Sequence, residues 1–443
     1  MKQQEIEKAE NLGAFLRVFT LDSLNEKELL KFYSDKTMVI RTGDEYLSPM
    51  DDLFEECTTP RTANAHLLLG HRGCGKSTEL YHLKQRIEEA GQPVWLIDFE
   101  LEMDVFNANC WDIMLAVTEG LCRIAEQKKM RGLDATLELV SDYLKADREV
   151  SKETDRSIGI SAAAGAEAKT PSILKGVLNM FASYKAELKA NTETREFVRR
   201  KMERRASDWV KYTNELASKI INKLKGKQPV LIFENVDRIQ PPGKAMEIFH
   251  YHVLAQMPFP VIYTFPISLY YDSQFTSIRN FYKPHILPMI KVMNMDKSEN
   301  EEGVKTIHEI VGLRANPALF DAAALKLLIT QTGGVLQELF SCIISSSRRA
   351  NRRGAERVEM VDAMSSLAEL RSEKTRTISQ PDYPKLANIY HDQKFREQIE
   401  DAEFLIKQMQ ALVVLEYNKK RWHDLHPVIA EFLKDQGFIH DPG

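Results

Sequence analysis

The sequence predicts an α/β fold built on a parallel sheet, and three features of its N-terminal third indicate this class. An apolar run at 65–69 ends on a glycine-rich turn, as a buried strand does before a loop. Residues 78–90 then repeat apolar side chains at helical spacing, and a second strand-like run at 93–99 precedes a second helical pattern at 111–127. Strand, loop, helix, strand and helix is the order of a parallel sheet with helical crossovers.

The remainder of the chain predicts further segments around this core. A helical segment is expected at 1–60, and the sheet core at 61–296 is interrupted by a charged, helical insertion at 128–227. The Gly/Ala-rich stretch 158–165 within that insertion predicts a flexible or hairpin-like element. Further strands of the core are expected at 229–233, 261–265 and 285–292.

Two more segments are expected after the core. Residues 297–370 are predicted to form a helical lid, and the polar stretch 371–383 a linker. Residues 371–443 are expected to hold a small winged-helix-like domain, because a helical pattern, a short strand pair at 413–417 and 421–423, and a last helix follow one another.

The composition is typical of a multidomain globular protein in a reducing compartment. A chain of 443 residues predicts roughly two to four domains, and 43% apolar with 28% charged residues is an ordinary balance. The formal charge of −4 disfavours non-specific coating of nucleic acid, without excluding a local basic patch. Five cysteines without paired spacing, a polar N-terminus and an apolar run broken by prolines predict reduced thiols, no secretory signal and no membrane span. A cytoplasmic location is therefore expected.

The first functional motif is a phosphate-binding loop. The pattern G-x-x-x-x-G-K-[ST] is matched at every defined position by Gly70, His71, Arg72, Gly73, Cys74, Gly75, Lys76 and Ser77, with Thr78 next in the helix. Glycines let the backbone N–H groups approach phosphate oxygens, and the positive end of the following helix adds to the attraction. Lys76 is expected to contact the β- and γ-phosphates and the Ser77 hydroxyl to bind magnesium, so ATP and Mg²⁺ are the predicted cofactors.

The second motif is an apolar strand that ends in acidic residues, at 230–238. Glu234 stands at the carboxyl end of this strand, where a carboxylate that holds magnesium belongs. Asp237 is the candidate to polarise the attacking water. An ordinary strand followed by a turn remains the alternative, because hydrophobic strands that end in acids are common.

These two segments resemble those of AAA+ and STAND ATPases, which implies a P-loop NTPase core with a helical lid and a C-terminal winged helix. In that family the second motif usually has Asp where this chain has Glu234, and often a catalytic Glu where it has Asn235. The resemblance therefore implies nucleotide binding with slow hydrolysis, as in proteins of this family that act as switches.

The resemblance also implies roles for residues further along the chain. Thr264 lies where a residue that senses the γ-phosphate is found, although a buried threonine bonded to backbone is an equal alternative. Gln337 occupies a lid position where origin-recognition ATPases carry an arginine that contacts phosphate. In STAND proteins a histidine of the winged helix contacts the β-phosphate of ADP. By spacing, that histidine is His426, with His423 as the second choice and a surface histidine as the alternative.

Several arginines have roles that the sequence leaves open. Arg195, Arg238 and Arg279 are candidate arginine fingers that act across a subunit interface. The basic clusters at 199–205 and 348–353 suit either nucleic acid or, more simply, solvated helix faces.

Two functions are consistent with these patterns. The first is an ATPase whose nucleotide state controls its own oligomerisation and activates a separate effector protein, as in bacterial antiphage systems. The second is a DNA-associated loader of the origin-recognition kind. The acidic balance favours the first, and the cations near the wing (Lys419, Lys420, Arg421 and Lys434) have acids close by.

Overall fold

The computed structural model describes residues 7–20, 26–43, 48–59, 64–155, 173–190, 192–392, 402–417 and 422–440. The described residues of its first part form short helices. The helices are α1 (Phe15–Val18), α2 (Glu26–Phe32), α3 (Thr37–Thr42) and α4 (Pro49–Thr58).

Strands and helices then alternate. The first half of the core contains β1 (Ala65–Gly70), α5 (Lys76–Glu89), β2 (Val94–Asp98), α6 (Phe99–Glu102) and α7 (Cys110–Gln127). The insertion follows as α8 (Asp134–Asp155), α9 (Ile173–Ala190), α10 (Thr192–Arg204) and α11 (Ala206–Lys223), and the predicted flexible stretch at 158–165 lies outside the described residues. The second half of the core contains β3 (Val230–Glu234), α12 (Gly243–His250), β4 (Val261–Pro266), α13 (Phe275–Arg279) and β5 (Lys283–Ile286).

The five strands form one parallel sheet in the order β2-β3-β4-β1-β5, which confirms the predicted α/β class. The order places β4 between the strand that carries the phosphate-binding loop and the strand that ends in Glu234. The last strand is shorter than the predicted 285–292. It ends at Ile286, because Pro288 has no N–H for a ladder and its carbonyl instead accepts a hydrogen bond from Arg41.

The sheet is buried on both faces, as parallel sheets are. Alternate residues of β3 belong to two separate cores: Leu231 and Phe233 pack with α7, whereas Val230 and Ile232 pack with α4 and α5. The layers are therefore helix, sheet and helix. Because parallel strands end together, the carboxyl ends of β1 to β4 form one edge.

The chain closes with a helical segment and a small two-stranded sheet. These elements are α14 (Glu301–Arg314), α15 (Ala322–Gln331), α16 (Leu336–Arg352), α17 (Met360–Thr375), α18 (Tyr383–His391), α19 (Ala402–Gln410), β6 (Val414–Tyr417), β7 (Trp422–Leu425) and α20 (Pro427–Asp435). Strands β6 and β7 pair antiparallel, and the tip that joins them lies outside the described residues.

The predicted linker at 371–383 is largely replaced by helix. Helix α17 continues to Thr375 because Lys374 is anchored in the protein: its ammonium donates to the Leu412 carbonyl oxygen at 3.1 Å and lies 2.7 Å from a carboxylate oxygen of Glu338. The polar residues at this point thus hold the C-terminal elements against the helical segment.

None of the helices in the described ranges is long and apolar enough to cross a membrane. The five cysteines are all buried and free.

A candidate nucleotide-binding site

The loop between β1 and α5 has the backbone that phosphate binding requires. Gly73 and Gly75 adopt φ angles of +76° and +101°, which are left-handed conformations that favour glycine. A Cβ atom on Gly73 would lie 2.6 Å from the Cβ atom of Gln337, so no larger residue fits there. The N–H of Gln337 also bonds to the Gly73 carbonyl oxygen at 3.3 Å. The loop is therefore in direct contact with the start of α16.

A cavity of about 470 Å³ opens beside this loop, within the size range of small-molecule sites. Most of its lining comes from four parts of the chain. The loop contributes Arg72, Gly73, Gly75, Lys76, Ser77 and Thr78; the strand ends contribute Asp98, Glu234, Asn235, Asp237 and Thr264; the N-terminal helices contribute Phe32, Tyr33, Thr37 and Arg41; and α14 and α16 contribute Ile310, Arg314, Leu336, Gln337 and Phe340.

Lys76 is held at the centre of the site by an acidic partner. Its ammonium lies 2.9 Å from a carboxylate oxygen of Asp237 and donates to the carbonyl oxygens of Gly70 and His71, both at 3.0 Å. Burial disfavours both charges. The ion pair nevertheless outweighs burial, so that the pKa of Lys76 is raised and the pKa of Asp237 is lowered. Both groups are therefore charged, and the Lys76 ammonium is engaged by Asp237 and by the two carbonyl oxygens.

Glu234 and Ser77 have the arrangement that a magnesium ion needs. Glu234 is 1% exposed, its side chain bonds to that of Ser77, and its Oε2 atom has no hydrogen-bond partner among the described residues. Burial is the main reason that the pKa of Glu234 rises to about 7, and the carboxylates of Asp98 and Asp237 add to this rise. A buried carboxylate with an unused oxygen, beside a hydroxyl and other acids, fits a hard divalent cation.

This raised pKa predicts a pH-dependent affinity for magnesium–nucleotide. Below pH 7 the Glu234 carboxyl is mainly protonated, and an ion that needs the carboxylate must displace the proton. Affinity is therefore expected to rise with pH and to fall by up to about tenfold per unit below pH 7. Calorimetric titration with Mg²⁺ and ADP between pH 6 and pH 8 measures this change of affinity.

The matched control is Glu234→Gln, which keeps the shape of the side chain but has no proton to displace. The pH dependence that remains in this variant belongs to the nucleotide itself. If the affinity of the wild type and that of Glu234→Gln change equally with pH, Glu234 has no role in holding the ion.

Asn235 lines the cavity, and its amide group is engaged by the neighbouring strand end. It has a φ angle of +63°, which asparagine tolerates, and its amide donates to a carboxylate oxygen of Asp98 at 3.0 Å. Asp98 also accepts bonds from the first N–H groups of α6, at Glu100 and Leu101. Asn235 thus links the ends of β2 and β3.

Thr264 lies on the cavity wall and is 1% exposed, but its hydroxyl serves the protein itself. It accepts bonds from the N–H groups of Val236 at 2.9 Å and Asp237 at 3.3 Å. This is the alternative in which a buried threonine is bonded to backbone. Through these bonds Thr264 positions the turn that carries Asp237.

Three residues of the loop motif do not line the cavity. Gly70 and the buried Cys74 are two of them. The ring of His71 turns to the opposite side, where its Nε2 atom accepts a hydrogen bond from the N–H of Glu416 at 2.8 Å. Burial, with Lys76 nearby, lowers the pKa of His71 to about 3, so the ring is neutral and can accept this bond. The loop is thereby joined to β6.

The two C-terminal histidines differ from the prediction that one of them contacts phosphate. His426 is fully buried, and its Nε2 atom lies 2.8 Å from a carboxylate oxygen of Glu338, away from the cavity walls. The Nε2 atom of His423 lies 3.0 Å from the hydroxyl of Tyr271. The two rings therefore lie close to polar side chains of two different parts of the chain, Glu338 of α16 and Tyr271 shortly after β4.

The candidate arginine fingers lie in different surroundings. Arg238 lines the cavity and is paired with Glu100, whereas Arg195 is buried in the insertion 3.3 Å from Asp104. Arg279, at the end of α13, is exposed. Of the three, Arg238 alone lines the cavity.

Two buried arginines beside the cavity were missed by the sequence prediction. Arg41 of α3 donates to the Cys74 carbonyl oxygen at 2.7 Å and to the Pro288 carbonyl oxygen at 2.6 Å. Arg314 of α14 stacks near the rings of Phe32 and Phe340, with its guanidinium carbon 5.1 Å and 4.7 Å from the ring centroids. No local motif marks either residue, because both act on partners that are distant in the sequence.

The fold is α/β, with a five-stranded parallel sheet. The glycine-rich loop on its first strand and the acidic end of β3 form a candidate nucleotide-binding site of the P-loop type. Solved structures similar to the chain include the ORC2 protein of Aeropyrum pernix in its ADP form, with 10% identity, a TM-score of 0.41 and coverage of 95% of this chain and 97% of that one. They also include a Walker-type ATPase of Pyrococcus abyssi, with 15% identity, a TM-score of 0.37 and coverage of 94% and 99%. A third is the RuvB protein of Thermotoga maritima, with 10% identity, a TM-score of 0.35 and coverage of 92% and 96%.

No protein-family model matches the chain, and no curated protein matches it significantly. At these levels of similarity, the activities of the three proteins are not carried over to this chain.

Proposed function

We propose that the chain is an ATPase of the AAA+/STAND type that binds Mg²⁺ and ATP in this cavity, hydrolyses ATP slowly and changes its oligomeric state with the bound nucleotide. In this proposal the assembled form regulates a separate effector protein. Residues 70–77 and 230–238 resemble those of AAA+ and STAND ATPases, a class that includes ATPases of bacterial antiphage systems, and the role that we propose is antiphage defence in the cytoplasm.

One observation carries this proposal: every major part of the chain except the insertion meets at the loop 70–77. Gly73 contacts α16 through Gln337, and His71 bonds to β6 through Glu416. Arg41 ties the N-terminal helices to the loop through Cys74. A nucleotide that moves the loop would therefore disturb all of these contacts together, which is what a nucleotide-controlled switch requires.

The two ends of the cavity suit different parts of ATP. The loop and the helix that begins at Lys76 would hold the phosphates. The opposite end, with the rings of Phe32 and Phe340 around Arg314, offers flat apolar and cationic surfaces for the base. Ser77 and Glu234 would hold magnesium, which would supply positive charge to the phosphate oxygens.

The residues of the cavity also indicate why hydrolysis would be slow. When Lys76 moves to the phosphates, it leaves the Asp237 carboxylate free to accept a hydrogen bond from the attacking water. An aspartate is a weak base, with an ordinary pKa of about 3.9, and Asn235 holds Asp98 and offers no carboxylate. Turnover well below the roughly 10 s⁻¹ that is typical of enzymes is expected.

Exchanging two side chains tests the role of Asn235. Because its amide donates to Asp98, Asn235→Glu alone would place two carboxylates together and is expected to leave turnover unchanged or lower. The exchange Asp98→Asn with Asn235→Glu keeps a donor and an acceptor in contact and brings a carboxylate to position 235. Turnover is then expected to rise, by up to about 100-fold if the new carboxylate reaches the water.

Steady-state phosphate release measures both effects. Asp98→Asn alone is the matched control, because it removes a charge without adding a base. A rise in turnover for Asn235→Glu alone would contradict the contact with Asp98 as the reason for slow hydrolysis.

Size-exclusion chromatography with light scattering tests the proposed switch. A non-hydrolysable ATP analogue is expected to produce an assembly of several chains, whereas ADP is expected to leave a smaller species. The double variant Lys76→Ala with Asp237→Asn, which removes the phosphate contact and its buried counter-charge together, is expected to show one mass under both conditions. An identical mass for the wild type in all nucleotide states would overturn the switch.

A gel shift of the wild-type protein with duplex DNA tests the alternative of a DNA-associated loader. Several cations of the two basic clusters have acidic partners: Arg199 pairs with Asp112, Arg349 with Glu369, and Arg353 lies 2.8 Å from Asp362. Weak or absent binding to duplex DNA is therefore expected. A gel shift that weakens steeply with salt would favour the loader.

A further inference from the structure

A second cluster of functional side chains lies at the opposite end of β1 from the loop 70–77. His66 of β1, His285 of β5 and Glu56 of α4 point towards one another. His66 precedes Gly70 by four residues, which is about 13 Å along a strand, so this cluster is separate from the nucleotide cavity. Nothing in the proposed ATPase cycle uses it.

The three ligand atoms have the mutual spacing of a metal site. The Nδ1 atom of His66 lies 3.3 Å from the Oε2 atom of Glu56 and 3.4 Å from the Nε2 atom of His285. The remaining pair, His285 Nε2 and Glu56 Oε2, is 3.7 Å apart. Ligands bound to zinc at about 2.0–2.1 Å with tetrahedral angles are separated by about 3.4 Å. One ion can therefore contact all three atoms with little movement of the side chains.

The surroundings also suit a metal. His66 is fully buried and His285 is 5% exposed, so an ion bound between them would be shielded from solvent on the side of the histidines. Lys283 bonds to Oε1 of Glu56, the carboxylate oxygen that does not face the histidines. A bond of this kind to the outer oxygen of a ligating carboxylate orients it towards the ion. The side chain of Glu56 is 11% exposed, which leaves a path from solvent.

We propose that Glu56, His66 and His285 bind one zinc ion, with a water molecule in the fourth position. Two imidazoles and one carboxylate are a ligand set that zinc uses. The ion would join α4, β1 and β5. Because β5 is the edge strand of the sheet and only four residues long, the ion would fix this edge to the strand that carries the phosphate-binding loop.

Metal content tests this proposal on the full chain. The protein is treated with a chelator, dialysed, and titrated with zinc alone, and separately with cobalt(II) as a spectroscopic probe. The expected result is one zinc per chain, a higher thermal midpoint with zinc than with chelator, and the visible absorption of four-coordinate cobalt. Glu56→Gln and His285→Gln are expected to weaken zinc binding by at least about 100-fold.

His308→Gln is the matched control, because His308 is an exposed histidine of α14 far from this cluster in the sequence. It is expected to bind zinc like the wild type. If a variant of the cluster fails to fold, the stoichiometry and cobalt spectrum of the wild type still decide the matter. Absence of stoichiometric zinc in the wild type, or equal binding by Glu56→Gln and His285→Gln, would overturn the site and would leave the nucleotide cavity unaffected.

Discussion

Lys76→Ala is expected to lower ATP affinity by at least about 100-fold. The ammonium of Lys76 is the group placed to contact the β- and γ-phosphates, and a hydrogen bond to a charged group contributes about 1.5–3 kcal/mol. Loss of two such bonds corresponds to roughly 100-fold or more. Calorimetric titration with a non-hydrolysable ATP analogue measures the change.

The structure also predicts a cost in stability, because the alanine leaves the Asp237 carboxylate buried without its partner at 2.9 Å. Removing one partner of a buried ion pair in this way lowers the free energy of unfolding by about 3–5 kcal/mol. The double variant Lys76→Ala with Asp237→Asn is therefore expected to regain much of the lost stability while binding remains weak. Asp237→Asn alone is expected to bind ATP at least as tightly as the wild type and to turn it over more slowly. Recovery of ATP affinity in the double variant would contradict the role of Lys76.

Arg41→Met is expected to lower the free energy of unfolding by about 3 kcal/mol or more. The side chain of Arg41 is 2% exposed and donates two hydrogen bonds, to the carbonyl oxygens of Cys74 and Pro288. Methionine fills similar space but cannot donate, so both buried carbonyl oxygens lose a charged donor. Urea denaturation measures the change.

The same substitution is expected to weaken nucleotide binding by roughly tenfold or more, because Cys74 belongs to the loop that binds phosphate. The matched control is Arg17→Met, which changes an exposed arginine of α1 and is expected to alter stability and affinity little. An Arg41→Met protein as stable as this control would show that the N-terminal helices do not support the loop.

The nucleotide site could be predicted where the chemistry is local in sequence. The loop 70–77 needs glycines at fixed spacing, and β3 needs an apolar run before Glu234, so both are visible in the sequence. The bond between His71 and Glu416 joins residues 345 positions apart, and Arg41 reaches Pro288 across 247 positions. Such contacts depend on how the segments pack, and no sequence pattern marks them.

Dependence on tertiary contacts also explains why the structure differs from the sequence predictions for His426 and for the last strand of the sheet. The spacing to a following apolar pair suggested that His426 contacts phosphate, but spacing does not reveal that Glu338 lies 2.8 Å from its ring. The apolar pattern at 285–292 suggested a long strand, but Pro288 cannot pair, and its carbonyl serves Arg41. In both cases a tertiary contact decides what the local pattern leaves open.

Photo-crosslinking with 8-azido-ATP tests the central claim most directly, since it reports both that the nucleotide binds and where its base lies. The label is expected on peptides that contain residues 32–41 or 310–340, and unlabelled ATP is expected to prevent it. Lys76→Ala with Asp237→Asn should lose the label. Labelling at other sites, or labelling that excess ATP does not prevent, would contradict a nucleotide held between the loop 70–77, the N-terminal helices and α16.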